Sequence, residues 1–218
     1  MKTFTFVMVS LLVGANIFAQ ANMEADAQRN VAETKDVAAR ALANFQKAGQ
    51  ENFKSMGFES ATDLTGAALA EPLAVFMVEL EGLRGYQSGS DPNNLLKPID
   101  KIIYPLTSKD QVRSSVVVQK SKEGWEATSI GGGNFARLAS TARAELAKST
   151  SLAPNAFFIV QAPALNAYFV GYRQDGKLML ASLTDDSAMN LRAGAPLPAE
   201  QIFGQLAPIA QKYNGLPM

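Results

Sequence analysis

The order of apolar and polar positions divides the chain into helical and extended stretches. Between residues 24 and 48, Val31, Ala38, Leu42 and Phe45 recur at helical spacing, and Ala27, Ala41 and Ala48 widen the stripe. Glu33, Lys35, Asp36, Arg40 and Lys47 fall on the other side, and Gly49 supplies a stop. Alanine favours helix but buries little area per residue, so this helix must lie close against a sheet or a partner. Ser60-Ala61-Thr62-Asp63 resembles a capping box with Asp in place of Glu, which predicts a short helix ending before Pro72. Residues 73–80 are almost continuously apolar and predict a strand buried on both faces. A polar loop rich in Gly, Ser, Asp, Pro and Asn follows over residues 85–96.

Residues 102–106, 112–120 and 125–130 read as an antiparallel meander with tight turns between them, and Trp125 opens its last strand. Gly131-Gly132-Gly133 joins that strand to a helix over residues 134–149. Its expected stripe is Phe135, Leu138, Ala142 and Leu146, with Asn134 as N-cap and Arg137 and Arg143 on the exposed side. Strands over residues 156–161, 167–173 and 178–183 follow, with a bend at Pro163 and a tight turn at residues 174–177. After a loop, Pro198 opens a last helix carrying Ile202, Leu206, Ile209 and Tyr213 on one face, kinked at Pro208 and ended by Asn214-Gly215.

The pattern repeats. Sliding residues 51–86 onto 133–168 without a gap makes nine of 36 pairs identical, among them Asn52/Asn134, Phe53/Phe135, Pro72/Pro154, Phe76/Phe158, Val78/Val160 and Tyr86/Tyr168. In both stretches a helical segment ends before a proline and an apolar run then enters a sheet. The expectation is an α+β fold of two related helix-plus-antiparallel-sheet halves, residues 22–132 and 133–218, built by internal duplication and packed as one unit. Each helix-then-meander half resembles cystatin-like modules in outline, a likeness of topology alone that no inhibitor motif accompanies.

The first 21 residues have a different character. Lys2 supplies a basic end, residues 4–18 are apolar without charge, and Ala19-Gln20-Ala21 is a small-x-small cleavage signal. The apolar run is shorter than the roughly 20 residues of a comfortable membrane span. The expectation is an exported chain cleaved after Ala21, periplasmic or secreted, with no transmembrane segment in the mature part. The absence of cysteine suits a bacterial envelope protein that stands on its core rather than on disulfides.

Composition removes whole classes of chemistry. The chain has no His and no Cys. Ser-His-Asp hydrolysis, thiol nucleophiles and the usual zinc sites are therefore absent. No Ser-x-x-Lys and no Gly-x-Ser-x-Gly occurs. Lys and Arg number 20, as do Asp and Glu, so no basic field exists to gather nucleic acid. Oxygen-rich Asp91-Pro92-Asn93-Asn94 and Asp185-Asp186-Ser187 lack the ligand spacing of a calcium loop and read as turns. No cofactor and no metal is expected.

Two features invite a binding role. At Gly132, Gly133 and Asn134 a strand–glycine–helix junction can point backbone N–H groups at an anion, with Arg137 adding charge. There is no Gly-Lys-Ser/Thr end and no GxGxxG, so nucleotide binding is poorly supported. The second feature is the alternation Tyr168, Val170, Tyr172. Facing solvent, it makes an aromatic row beside Arg173 of the kind found in protein–protein contacts; facing helices, it is core. The reading from sequence is a non-enzymatic exported protein that works by contact with a protein partner in the envelope, with a small-ligand or anion binder at the cleft between halves, or a hydrolase without His, as alternatives.

Overall fold

The computed structural model describes residues 10–49 and 51–215. The first nine residues, which carry the basic end and the front of the apolar run of the expected export signal, lie outside them. Helix α1 spans Ser10–Ala48, longer than the stripe predicts, and places Ala19-Gln20-Ala21 within a helix. Helix α2 (Ala61–Thr65) leads to strands β1 (Ala68–Leu69) and β2 (Leu73–Met77), then helix α3 (Leu80–Arg84). Strands β3 (Lys97–Ser108), β4 (Gln111–Ser121) and β5 (Gly124–Gly131) form the meander. Helix α4 (Gly133–Thr150) precedes β6 (Phe158–Ala162), β7 (Ala167–Gln174), β8 (Lys177–Ser182) and β9 (Pro196–Pro198), and α5 (Ala199–Lys212) closes the described chain.

The strands join in one mixed, largely antiparallel sheet in the order β5-β4-β3-β2-β6-β7-β8-β9, with β1 on β3. The exception to antiparallel pairing is at the centre, where β2 and β6 run parallel with Val75 beside Ile159 and Phe76 beside Val160. From that pair β3, β4 and β5 extend to one side and β7, β8 and β9 to the other.

Register sorts the side chains into two faces. Leu73 pairs with Ile103, and both join Ala139, Ala142, Leu146, Ile159, Val170 and Tyr172 under α4. Ala74 pairs with Ile102 on the opposite face. There Phe76, Val160, Phe169 and Leu180 pack against α3 and α5. Ile102, Tyr104, Leu106, Val116 and Val118 pack against Ala38 and Leu42 of α1 on that same face. Tyr104 also ties α1 down, its hydroxyl 2.9 Å from Thr34 Oγ1 and 3.1 Å from the Val31 carbonyl.

Four expectations are corrected. Strand β2 ends at Met77, and α3 starts where the apolar run was expected to continue as strand. Strand β3 begins at Lys97, five residues before the expected start, because pairing with Met77 of β2 reaches back that far. On α4 the packed strip is Ala136, Ala139, Ala142 and Leu146, while Leu138 is 42% exposed. Small residues let the helix axis approach the sheet, and Leu138 lies off that line. Arg143 is not on the exposed side: it is buried and donates to the Glu71 carbonyl at 2.8 Å and the Pro72 carbonyl at 3.2 Å. Those bonds satisfy a buried cation and fasten α4 over the entry to β2. Among the described residues no helix is long and apolar enough to cross a membrane.

Candidate functional site at the glycine junction

Helix α4 starts from a left-handed residue. Gly132 holds φ 65° at the N-cap, and Gly131 before it holds φ 146°. The N-cap role expected of Asn134 is taken by Gly132, because the chain turns two residues earlier and Asn134 already lies inside the helix. No side chain caps the helix start, so its leading N–H groups receive no side-chain acceptor. Ala136 N–H donates to the Gly132 carbonyl at 3.0 Å, closing the first turn. The Ser115 hydroxyl donates to the Gly131 carbonyl at 2.7 Å and fixes the junction to β4.

Gly133 is needed for a different reason. A Cβ there would stand 2.3 Å from the Arg113 carbonyl oxygen. A Cβ on Gly57, which has φ 91°, would stand 2.4 Å from the same oxygen. Two glycines far apart in sequence thus close on one carbonyl at the start of β4. Where these segments meet, they leave a cavity of about 660 Å³. Its walls come from the turn at residues 55–57, the start of β4 at residues 110–113, the glycine junction, and the face of α4 bearing Arg137, Ser140 and Thr141.

Two guanidinium groups, those of Arg113 and Arg137, lie on these walls. Arg113 is 17% exposed, and its Nη2 lies 2.8 Å from Glu59 Oε1. Its Nε is buried with no acceptor in the protein. Arg137 donates from Nη2 to Asn134 Oδ1 at 3.0 Å and is exposed. Asp110 is the acid on the walls. Beside them, Lys109 Nζ sits 2.7 Å from the carboxylate of Asp63, whose side chain is 2% exposed. The hydrogen bond from Lys109 holds the Asp63 carboxyl below its ordinary value of 3.8; burial opposes this, and Ser60 and the charges of Lys109 and Arg113 assist.

The structure brings Gly132, Gly133, Asn134 and Arg137 together on this cavity. It places Tyr168, Tyr172 and Arg173 elsewhere. Tyr172 is buried at 1% exposure with its ring 5.5 Å from that of Phe157, and Tyr168 is half-buried edge-on to Phe135 at 5.5 Å. The Tyr face of β7 therefore turns to α4, and no exposed aromatic row exists there. Burial also raises the Tyr172 hydroxyl above its ordinary 10.0. Arg173 projects to the other face and donates to Asn93 Oδ1 at 2.8 Å. The loop over residues 85–96 is pinned by that bond and by Gly89 N–H to Glu200 at 3.1 Å. In the second oxygen-rich segment Asp185 accepts from Ala193 N–H and Asp186 from Met189 N–H, each at 2.9 Å, as turn residues do.

Arg113, Ser140 and Thr141 escaped the sequence reading. Arg113 reads as one polar position in an alternating strand, and Ser140 and Thr141 as the wet side of a helix. The one local signal was Gly57, in a turn whose partner carbonyl lies 56 residues further on. A wall carrying guanidinium, hydroxyl and amide groups can hold an oxyanion. No family model, curated protein or solved structure matches the chain.

Proposed function

We propose that the protein is an exported, non-enzymatic binding protein that takes a small anionic ligand in the cavity at the glycine junction. The observation that carries this reading is the convergence of Arg113, Arg137 and the uncapped start of α4 on one cavity. Its volume of about 660 Å³ falls within the range of small-molecule sites. Arginine suits the role because its planar fork of donors matches carboxylate and phosphate oxygens. The near-balance of 20 basic and 20 acidic residues gives no long-range attraction, so recognition rests on local donors. The mirrored strand order about β2 and β6 supports the reading of the chain as two related copies.

The test is an amide and arginine NMR titration with inorganic phosphate. The expected result is saturable shifts at Gly132, Gly133 and Asn134 and at the Arg113 Nε–H. Unmoved resonances at millimolar phosphate refute the reading.

A second reading is contact with an envelope protein through the sheet edge. Strand β5 is an edge strand, and its residues 126–129 are exposed, which offers a template for an added strand. Capture from an envelope extract at near one-to-one ratio, lost when proline replaces Thr128, supports it; capture unchanged by that substitution removes it.

A further inference from the structure

We propose that Glu59, beside the cavity, is a competitor for its Arg113: the Glu59 carboxylate occupies the edge of the guanidinium that the anionic group of a ligand takes on binding. This rests on the reading of the cavity as an anion site. The pair is asymmetric, a cation at 17% exposure on the cavity wall against an acid at 64% exposure. The cation is largely buried, and the acid can swing into water.

The contact is also incomplete. Arginine presents Nε–H and Nη2–H along one edge, spaced to receive both oxygens of a carboxylate or two oxygens of a phosphate. Glu59 engages Nη2 through Oε1. The Nε on that edge is buried without an acceptor. A buried donor left unmade is costly, so an oxyanion that reaches both nitrogens gains more than Glu59 does. The neighbouring charges do not fill the gap. Asp63 is engaged by Lys109 at 2.7 Å, which leaves Glu59 as the acid ion-paired with Arg113. The ligand class is therefore one with a carboxylate or phosphate that can bind side-on, and Glu59 sets the threshold affinity it must exceed.

The experiment compares inorganic phosphate binding by the wild-type chain, Glu59→Gln and Arg113→Gln, read by NMR titration that includes the Arg113 Nε–H resonance. Releasing one exposed partner of an ion pair is expected to tighten binding about two- to five-fold in Glu59→Gln. Arg113→Gln is expected to abolish it; Arg113→Lys, which keeps the charge but not the fork, weakens binding and serves if the glutamine variant does not fold. Equal or weaker binding by Glu59→Gln, with the wild type binding, overturns the role of Glu59 and leaves the cavity reading standing. No binding by either the wild type or Glu59→Gln overturns both.

Discussion

Gly133 and Gly204 both lie in helices, yet the same substitution to alanine is expected to act with opposite sign. In α5, a Cβ on Gly204 meets nothing within 4 Å. There the change adds helix propensity alone and should stabilise by about 0.8–1 kcal/mol. In α4, a Cβ on Gly133 meets the Arg113 carbonyl oxygen at 2.3 Å and its carbon at 3.2 Å. Ordinary contact begins at 3.4 Å, so the two must separate by about an ångström. The carbonyl cannot retreat cheaply, because it is backbone and Gly57 closes on it as well. Such overpacking costs about 1–3 kcal/mol, and a first-turn position returns less than the full propensity of about 1 kcal/mol. The clash wins, and Gly133→Ala should destabilise by about 1–2 kcal/mol. Urea unfolding reads both variants, as midpoint shifts in opposite directions at unchanged slope. In a chain of this size, each kcal/mol moves the thermal midpoint by about 2–4 °C. A Gly133→Ala protein as stable as wild type, or shifted upward like Gly204→Ala, refutes the packing argument for the glycine.

Two further perturbations test the frame around the site. Arg84 closes the end of α5, donating to the Ala210 carbonyl at 3.0 Å, the Tyr213 carbonyl at 2.6 Å and Glu81 at 2.6 Å; Arg84→Ala should cost about 1.5–3 kcal/mol in urea unfolding, and a loss no larger than that of an exposed lysine would refute the clamp. The Asp63 carboxyl is lowered in the folded state, chiefly by the Lys109 hydrogen bond, so its stabilisation is present above the unfolded value of 3.8 and lost as pH falls through the lower folded value. Asp63→Asn should therefore flatten the acid limb of stability below about pH 4, and an acid limb identical to wild type would show that Lys109 contributes nothing through Asp63.

What the sequence made legible was whatever is decided locally. The stripe of α1 was readable because Val31, Ala38, Leu42 and Phe45 do lie on or beside the packed face. The Ser60 cap was readable because its acceptor meets Asp63 N–H three residues on, at 3.1 Å. The meander and the β7–β8 hairpin follow from turns whose residues take positive φ, at Lys109 and Asp110, at Gly124, and at Asp175 and Gly176. The centre of the sheet was not readable. Parallel pairing of β2 with β6 joins residues more than 80 positions apart, and an apolar run carries no mark of its neighbour. Alpha-helical faces misled where close packing outranked hydrophobicity: Leu138 is outside and Ala139 inside, while Arg143 is buried because backbone carbonyls of Glu71 and Pro72 await it.

The glycine triplet shows how the same letters serve two arguments. From sequence it suggested free amides aimed at an anion. The structure gives its second and third glycines reasons that need no ligand: Gly132 takes a left-handed conformation, and Gly133 has no room for a Cβ beside Arg113. Gly131 has open space but φ 146°, which side chains rarely adopt. A fold that requires these glycines for geometry would keep them with the cavity empty, so the triplet by itself is not an argument for binding. Arg113 is different, because the geometry of the fold alone does not explain it. Holding a guanidinium at 17% exposure with one edge half-used is costly, and an apolar or neutral residue would fill that wall without the cost. An oxyanion drawing on both Nε and Nη2 removes that cost, and for this reason the phosphate titration should be followed at Arg113 before the amides of the junction.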